Sequence, residues 1–286
     1  MPSLIDIRRR IRSVKNTQQI TKAMKMVSAA KLRKAQDRII EARPYAGMLT
    51  QVLANIAAAS AGNDQLLELP LLATREEKRI QLILVTADRG LAGAFNTNLN
   101  KAAQAFLQDH PSQQVEIEAV GRKGREFFTR RHVPLSGDWT GLSNKPTYAD
   151  AAKIAQKVID RYTKAEIDSV YLVYNEFRSI VSQRITVKKV LPVPLPQDAE
   201  QMDYLFEEPP LQLLGSLLPK YVESMVYTAI LESTTSEHAA RMTAMDAASS
   251  NAADVIEKLT LYMNRVRQAS ITKEIIEVVS GAAALE

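Results

Sequence analysis

The sequence has no cysteine, only three histidines and one tryptophan, and long stretches at both ends without a single Gly or Pro. Lack of cysteine excludes a disulfide framework, a thiolate zinc site and a cysteine nucleophile, and fits a reducing compartment, by default the cytoplasm. His110, His132 and His238 stand far apart, without H-E-x-x-H or carboxylates at ligand spacing, so no metal site is expected. There is no G-x-S-x-G, no locally supported Ser/His/Asp order and no carboxylate pair in an apolar setting, so no catalytic residue is assigned. No run approaches the roughly 18 consecutive apolar residues that a membrane span requires. Direct membrane insertion is not expected.

What is present is enough for a sizeable core: 286 residues, 46% hydrophobic and 24% charged. That length predicts one or two domains. The net charge of +5 hides an asymmetry. Residues 1–43 hold twelve Lys or Arg against three Asp or Glu, whereas residues 209–286 hold six against nine. The two ends are therefore electrostatically complementary. An arginine-rich, acid-poor start also suits a transit peptide, but the helical pattern runs on past residue 40 with no cleavable apolar core.

Between Ser3 and Arg43, apolar residues recur at alternating three and four spacing: Leu4, Ile7, Ile11, Val14, then Leu32, Ala35, Ile39. Gln18, Thr21, Lys25 and Ser28 fill the middle slots, which predicts a seam that weakens there or shifts toward Ile20, Met24 and Val27. Pro44 is expected to interrupt the helix before it resumes over Met48–Ala61. From Lys220 to Ser280 a second helix is predicted, roughly 90 Å long at about 1.5 Å per residue. Its seam reads Met242, Met245, Ser249, Ala252, Ile256, Leu259, Met263, Val266, Ser270, and Pro219 marks a start or kink. Pairing the two helices as an antiparallel coiled coil is the simplest architecture.

The middle of the chain changes period. Residues 80–87, 115–121 and 169–177 read as buried strands, alternating with helical patterns over 91–109, 122–131 and 148–165. A mainly parallel sheet in a Rossmann-like α/β domain follows, with residues 183–192 as an edge strand. The expected division is an N-terminal coiled-coil helix over 1–62, the α/β domain over 76–195 and a C-terminal coiled-coil helix over 209–286.

Thr86–Asn96 (TADRGLAGAFN) follows a strand and opens a helix, where a Rossmann fold cradles phosphate. Its Gly90 and Gly93 give only G-x-x-G, short of a dinucleotide loop, and no P-loop Gly-Lys-Ser/Thr exists. Asp88 as a helix cap and glycines for tight packing are favoured over a ligand, and no cofactor is expected. Gly121-Arg-Lys-Gly124 occupies the equivalent place after the second strand, its basic pair more simply solvated than anion-bound. The basic N-terminal helix lacks aromatics to stack bases, and its charges spread round the helix. A protein partner therefore suits it better than nucleic acid.

Four segments carry a resemblance: Ile20–Ala35 (ITKAMKMVSAAKLRKA), Asp88–Asn96 (DRGLAGAFN), Glu237–Met245 (EHAARMTAM) and Tyr262–Leu285 (YMNRVRQASITKEIIEVVSGAAAL). Together they closely resemble the gamma subunits of F-type ATP synthases, in the expected order along the whole chain. The resemblance implies a central-stalk rotor of a proton-translocating enzyme, at the cytoplasmic face of the bacterial plasma membrane, with no bond chemistry of its own. It implies partners: a hexamer of alpha and beta subunits, the epsilon subunit and the membrane ring of c subunits. Arg267, Gln268 and Thr272 match positions that contact a loop of one catalytic subunit, with Met24 and Lys25 across the coiled coil from that region. Ile275, Ile276, Val279 and Leu285 belong to an apolar tip that turns in a collar. Tyr204, Glu207 and Glu208 lie toward the ring and the regulatory subunit. Photosynthetic members carry a cysteine-bearing regulatory insert, which this cysteine-free chain lacks. Two other readings stay open: a basic coiled-coil scaffold whose α/β module binds nucleic acid or proteins, and a Rossmann-type enzyme with helical appendages.

Overall fold

The computed structural model describes residues 3–59, 69–142, 146–194 and 209–283. The order is α1 (Leu4–Ala59), β1 (Arg79–Val85), α2 (Phe95–Asp109), β2 (Gln114–Val120), α3 (Arg122–Thr129), β3 (Leu135–Trp139), α4 (Tyr148–Thr163), β4 (Ser169–Phe177), β5 (Gln183–Leu191) and α5 (Pro210–Ala283). The chain divides into two compact units. One joins the N-terminal stretch to Ser28 with the stretch from Met242 onward, and the other is Ala29–Arg241.

In the first unit α1 and α5 run antiparallel, because the partners of rising α1 numbers fall along α5: Thr21 meets Ser249 and Lys25 meets Asp246. Ile7, Met245 and Ala252 are buried in the seam. The seam does not shift in its polar middle. Thr21 and Ser28 stay buried while Ile20 and Val27 are exposed. Hydrogen bonding offsets the missing apolar contact: the Thr21 and Ser249 hydroxyls are 2.7 Å apart and Gln18 Nε2 donates to the Ser249 carbonyl at 3.4 Å.

The second unit is built on a five-stranded sheet of order β3-β2-β1-β4-β5. β1 pairs in parallel with β2 and β4, β2 with β3, and β5 closes one edge antiparallel to β4. Helices cover both faces. Phe95, Leu99 and Phe128 of α2 and α3 pack on Leu82, Leu84 and Ile117. On the other face Ile154 and Val158 of α4 share a cluster with Leu49 and Leu53 of α1, Leu218 and Val222 of α5, and Ile83 and Leu172.

Neither proline breaks its helix. α1 continues through Pro44 and α5 begins at Pro210 and continues through Pro219. An internal proline costs about 3 kcal/mol, yet Ile39, Leu49 and Leu53 are buried around Pro44, and Leu214, Leu218 and Val222 around Pro219. Each such side chain returns roughly 1.5–3 kcal/mol on burial. Packing outweighs the break.

Strand β3 was not legible as a strand, since LSGDW has little β-forming composition. Side-chain chemistry holds it instead. The fully buried Glu118 carboxylate accepts from Ser136 Oγ at 2.6 Å, Trp139 Nε1 at 2.6 Å and Lys157 Nζ at 2.8 Å. A Cβ at Gly137 would overlap both Lys157 Nζ and Glu118 Oε1, so any larger residue there would have to displace this ion pair.

Candidate partner-contact surface and a closed crevice

In the first unit the polar patch is built on one exposed side of α5. Arg267, Gln268 and Thr272 are all exposed. Thr272 Oγ1 donates back to the Gln268 carbonyl at 2.9 Å, so its hydroxyl proton is committed and its lone pairs remain as acceptors. Arg267 offers only donors and Gln268 both kinds. Such a set suits a loop bearing a carboxylate and backbone groups.

Met24 and Lys25 do not lie opposite that patch. Lys25 Nζ is 2.6 Å from Asp246 Oδ1, so the register sets it about twenty residues, or roughly 30 Å, from Arg267 along α5. Met24 is half-buried beside it. The sequence placed these residues by resemblance alone, whereas register follows from the Thr21–Ser249 and Lys25–Asp246 contacts. The same register carries Leu4 to the level of Val266, so among the described residues none of α1 stands opposite the turns of α5 beyond it. There Ile275, Ile276 and Val279 are 57%, 58% and 62% exposed. Contiguous apolar exposure of this kind marks an interaction surface. Leu285 lies outside the described residues, as do Tyr204, Glu207 and Glu208.

In the second unit, the positions where a Rossmann-like fold holds a ligand are taken by the chain's own groups. Arg122 N, the first amide of α3, donates to Asp88 Oδ1 at 3.1 Å, Lys123 N to the Ala87 carbonyl at 3.0 Å and Gly124 N to Thr86 Oγ1 at 2.9 Å. Asp88 therefore caps α3 and not α2, and its second oxygen accepts from Gly141 N at 3.0 Å. Asn96 serves the loop opening α2, accepting from Ala87 N at 2.9 Å. Gly121 is required by geometry: its φ is +99° and a Cβ would collide with the Thr86 backbone. Gly90 meets no such constraint.

At the carboxyl ends of β1 and β4 the occupant is α5 itself. Ser233 Oγ donates to the Val85 carbonyl at 3.2 Å, and Ser236 Oγ to the Asn175 carbonyl at 3.1 Å. Glu232 Oε2 accepts from Phe177 N at 2.7 Å while its other oxygen holds Arg43 at 3.0 Å. Arg241 Nη2 donates to the Gly90 carbonyl at 3.2 Å and pairs with Glu237 at 2.7 Å. Burial raises the Glu237 carboxyl above its ordinary range, opposed by Arg241. Burial, with Arg241 and Lys31 nearby, lowers His238 to about 4. Sequence reasoning marked Glu237–Met245 by resemblance only and did not single out Glu232–Ser236, because a run of Glu, Ser and Thr carries no local signal of burial.

A Rossmann-like domain with its crevice filled by its own helix, carried with a helical pair that exposes a polar patch and an apolar end, defines a protein–protein interaction subunit. A family model described as ATP synthase matches residues 3–285. The chain is 65% identical over 286 residues to the ATP synthase gamma chain of Solibacter usitatus (strain Ellin6076), covering all of both. It is 50% identical over 289 residues to that of Pelotomaculum thermopropionicum, again covering both completely. The chain belongs to the ATP synthase gamma chain family, and is thereby a non-catalytic subunit.

Among solved structures, the central stalk and c-ring of the Tetrahymena thermophila mitochondrial ATP synthase contains a chain 27% identical, with TM-score 0.61, covering 80% of this chain and 99% of that one. A Euglena gracilis mitochondrial ATP synthase assembly of OSCP, F1 and c-ring gives TM-score 0.66 at 20% identity, over 99% and 94% of the two chains. The second likeness speaks for the fold. Among the described residues no helix is long and apolar enough to cross a membrane.

Proposed function

We propose that this chain is the central rotor of a proton-translocating F-type ATP synthase, peripheral to the cytoplasmic face of a bacterial plasma membrane. Full-length identity with gamma chains, joined to an exposed apolar end on α5, carries this reading. Its partners are the hexamer of alpha and beta subunits, the epsilon subunit and the ring of c subunits. Arg267, Gln268 and Thr272 engage a loop of one catalytic subunit in some orientations only. Ile275, Ile276, Val279 and Leu285 turn in the collar. Tyr204, Glu207 and Glu208 face the ring and epsilon. An asymmetric shaft works by differential stabilisation, since each orientation favours a different open or closed state of each catalytic subunit.

The test is affinity purification of the tagged chain from its native membranes, followed by subunit masses. Recovery in a complex with alpha, beta, epsilon and c subunits is expected. Recovery alone, or with nucleic acid in a salt-sensitive complex, would contradict the reading.

A further inference from the structure

Every residue of α5 from Ala229 to Ala239 is buried, so three turns of helix are enclosed on all sides. A helix buried all round is ordinarily apolar all round. Here Glu232-Ser-Thr-Thr-Ser-Glu-His238 places seven polar residues in succession. Apolar residues of similar volume would stabilise such a site as well or better. What polar groups add is direction: a hydrogen bond weakens steeply with angle, whereas apolar contact tolerates sliding and turning.

The bonds fall at one place. In the order β3-β2-β1-β4-β5 the topology reverses between β1 and β4, where open α/β sheets receive their ligands. Six bonds tie the long helices to the sheet and its first loop there: Ser233 to the Val85 carbonyl, Asn175 N to Ser233 Oγ, Ser236 to the Asn175 carbonyl, Phe177 N to Glu232, Arg43 to the Phe177 carbonyl, and Arg241 to the Gly90 carbonyl. Five of these bonds engage backbone groups at or near the ends of β1 and β4, and the sixth the Gly90 carbonyl in the loop after β1.

We infer that Glu232, Ser233 and Ser236, with Arg43 and Arg241, form a torsional clasp at the crevice that α5 fills, which passes torque between the α/β domain and the long helices of the rotor. They are positioning residues, acting through the stiffness of the joint, and the inference rests on the rotor reading above. The chain has no cysteine, so one introduced at Val181, 93% exposed on the β4–β5 turn, takes a probe at that position alone when the chain is labelled before assembly.

The experiment uses the whole complex with its head fixed to a surface. One measures the angular spread of a probe on Val181→Cys during a catalytic dwell, with and without Ser233→Ala plus Ser236→Ala. That pair removes three of the six bonds. If the bonds contribute alike and act in parallel, angular variance should rise roughly twofold, at unchanged subunit stoichiometry. Rotation of the unsubstituted complex checks the rotor reading independently. Variance equal to wild type, even with a lower temperature of subunit loss, would overturn the clasp and leave these serines a merely structural role. Should the double variant fail to assemble, Ser233→Ala and Ser236→Ala are measured singly: a broadened dwell in either supports the clasp, and wild-type width in both overturns it.

Discussion

Thr21 Oγ1 and Ser249 Oγ stand 2.7 Å apart in the seam between α1 and α5, a hydroxyl pair where a coiled coil ordinarily sets apolar side chains. Each also reaches its own helix, Thr21 to the Gln18 carbonyl at 3.0 Å and Ser249 to the Met245 carbonyl at 2.8 Å. Either hydroxyl therefore keeps a partner when the other is lost. Ser249→Ala is expected to cost less than about 1 kcal/mol, because no buried donor is stranded. Ser249→Leu should cost roughly 1–3 kcal/mol by overpacking a close helix approach. Denaturant unfolding of the two variants checks this order, and a larger loss for Ser249→Ala would contradict it.

Gly121→Ala is predicted to be severe, because a positive φ and a collision with the Thr86 backbone act together. A loss above about 3 kcal/mol is expected, since α3 must lift off its amide contacts. Gly141 also has positive φ, at +90°, but nothing lies near its missing Cβ. Gly141→Ala should cost only about 1 kcal/mol. Equal melting temperatures for the two variants would refute the collision argument.

His238 gives stability a pH dependence. Its folded pKa is lowered from 6.5 to about 4 by burial, then by Arg241 and Lys31. The unfolded chain thus binds more protons between those values, so this contribution is complete above pH 6.5 and is lost as pH falls toward 4. At most about 3.5 kcal/mol is involved at roughly 1.4 kcal/mol per unit. Glu237, shifted upward, acts in the opposite sense, its contribution being lost as pH rises through its folded pKa. His238→Gln should flatten the unfolding free energy across the pH 4–6.5 window. An unaltered pH profile in that variant would remove His238 from the account.

The α/β alternation was legible because strands such as Ile80–Val85 and Ser169–Phe177 are nearly continuous apolar runs, bounded by helices with clear periodicity. The long helices were legible from the absence of Gly and Pro. Pro44 and Pro219 misled, because the core packing that carries a helix through a proline is not a local signal. Strand β3 escaped because Glu118, a residue distant in sequence, holds it. The four polar seam positions pointed to a seam that weakens or shifts to other residues, and cross-helix hydrogen bonds kept it in place. Arg267, Gln268 and Thr272 were named by resemblance, and helical geometry alone put them on one side. The clasp was invisible in sequence, since burial of Glu232–His238 depends on which elements enclose that stretch.

The central claim is that this chain acts on its partners through orientation-dependent contacts, without chemistry of its own. Arg267→Ala with Gln268→Ala tests it most directly, because both side chains are exposed and form no part of the seam. A charge-assisted hydrogen bond contributes roughly 1.5–3 kcal/mol. If it is made only in some rotary orientations, its loss changes their relative energies by that amount, and about 1.4 kcal/mol is tenfold in rate. ATP hydrolysis by the head assembled with the double variant should fall about ten- to a hundredfold at normal subunit stoichiometry. Wild-type turnover at that stoichiometry would contradict the account.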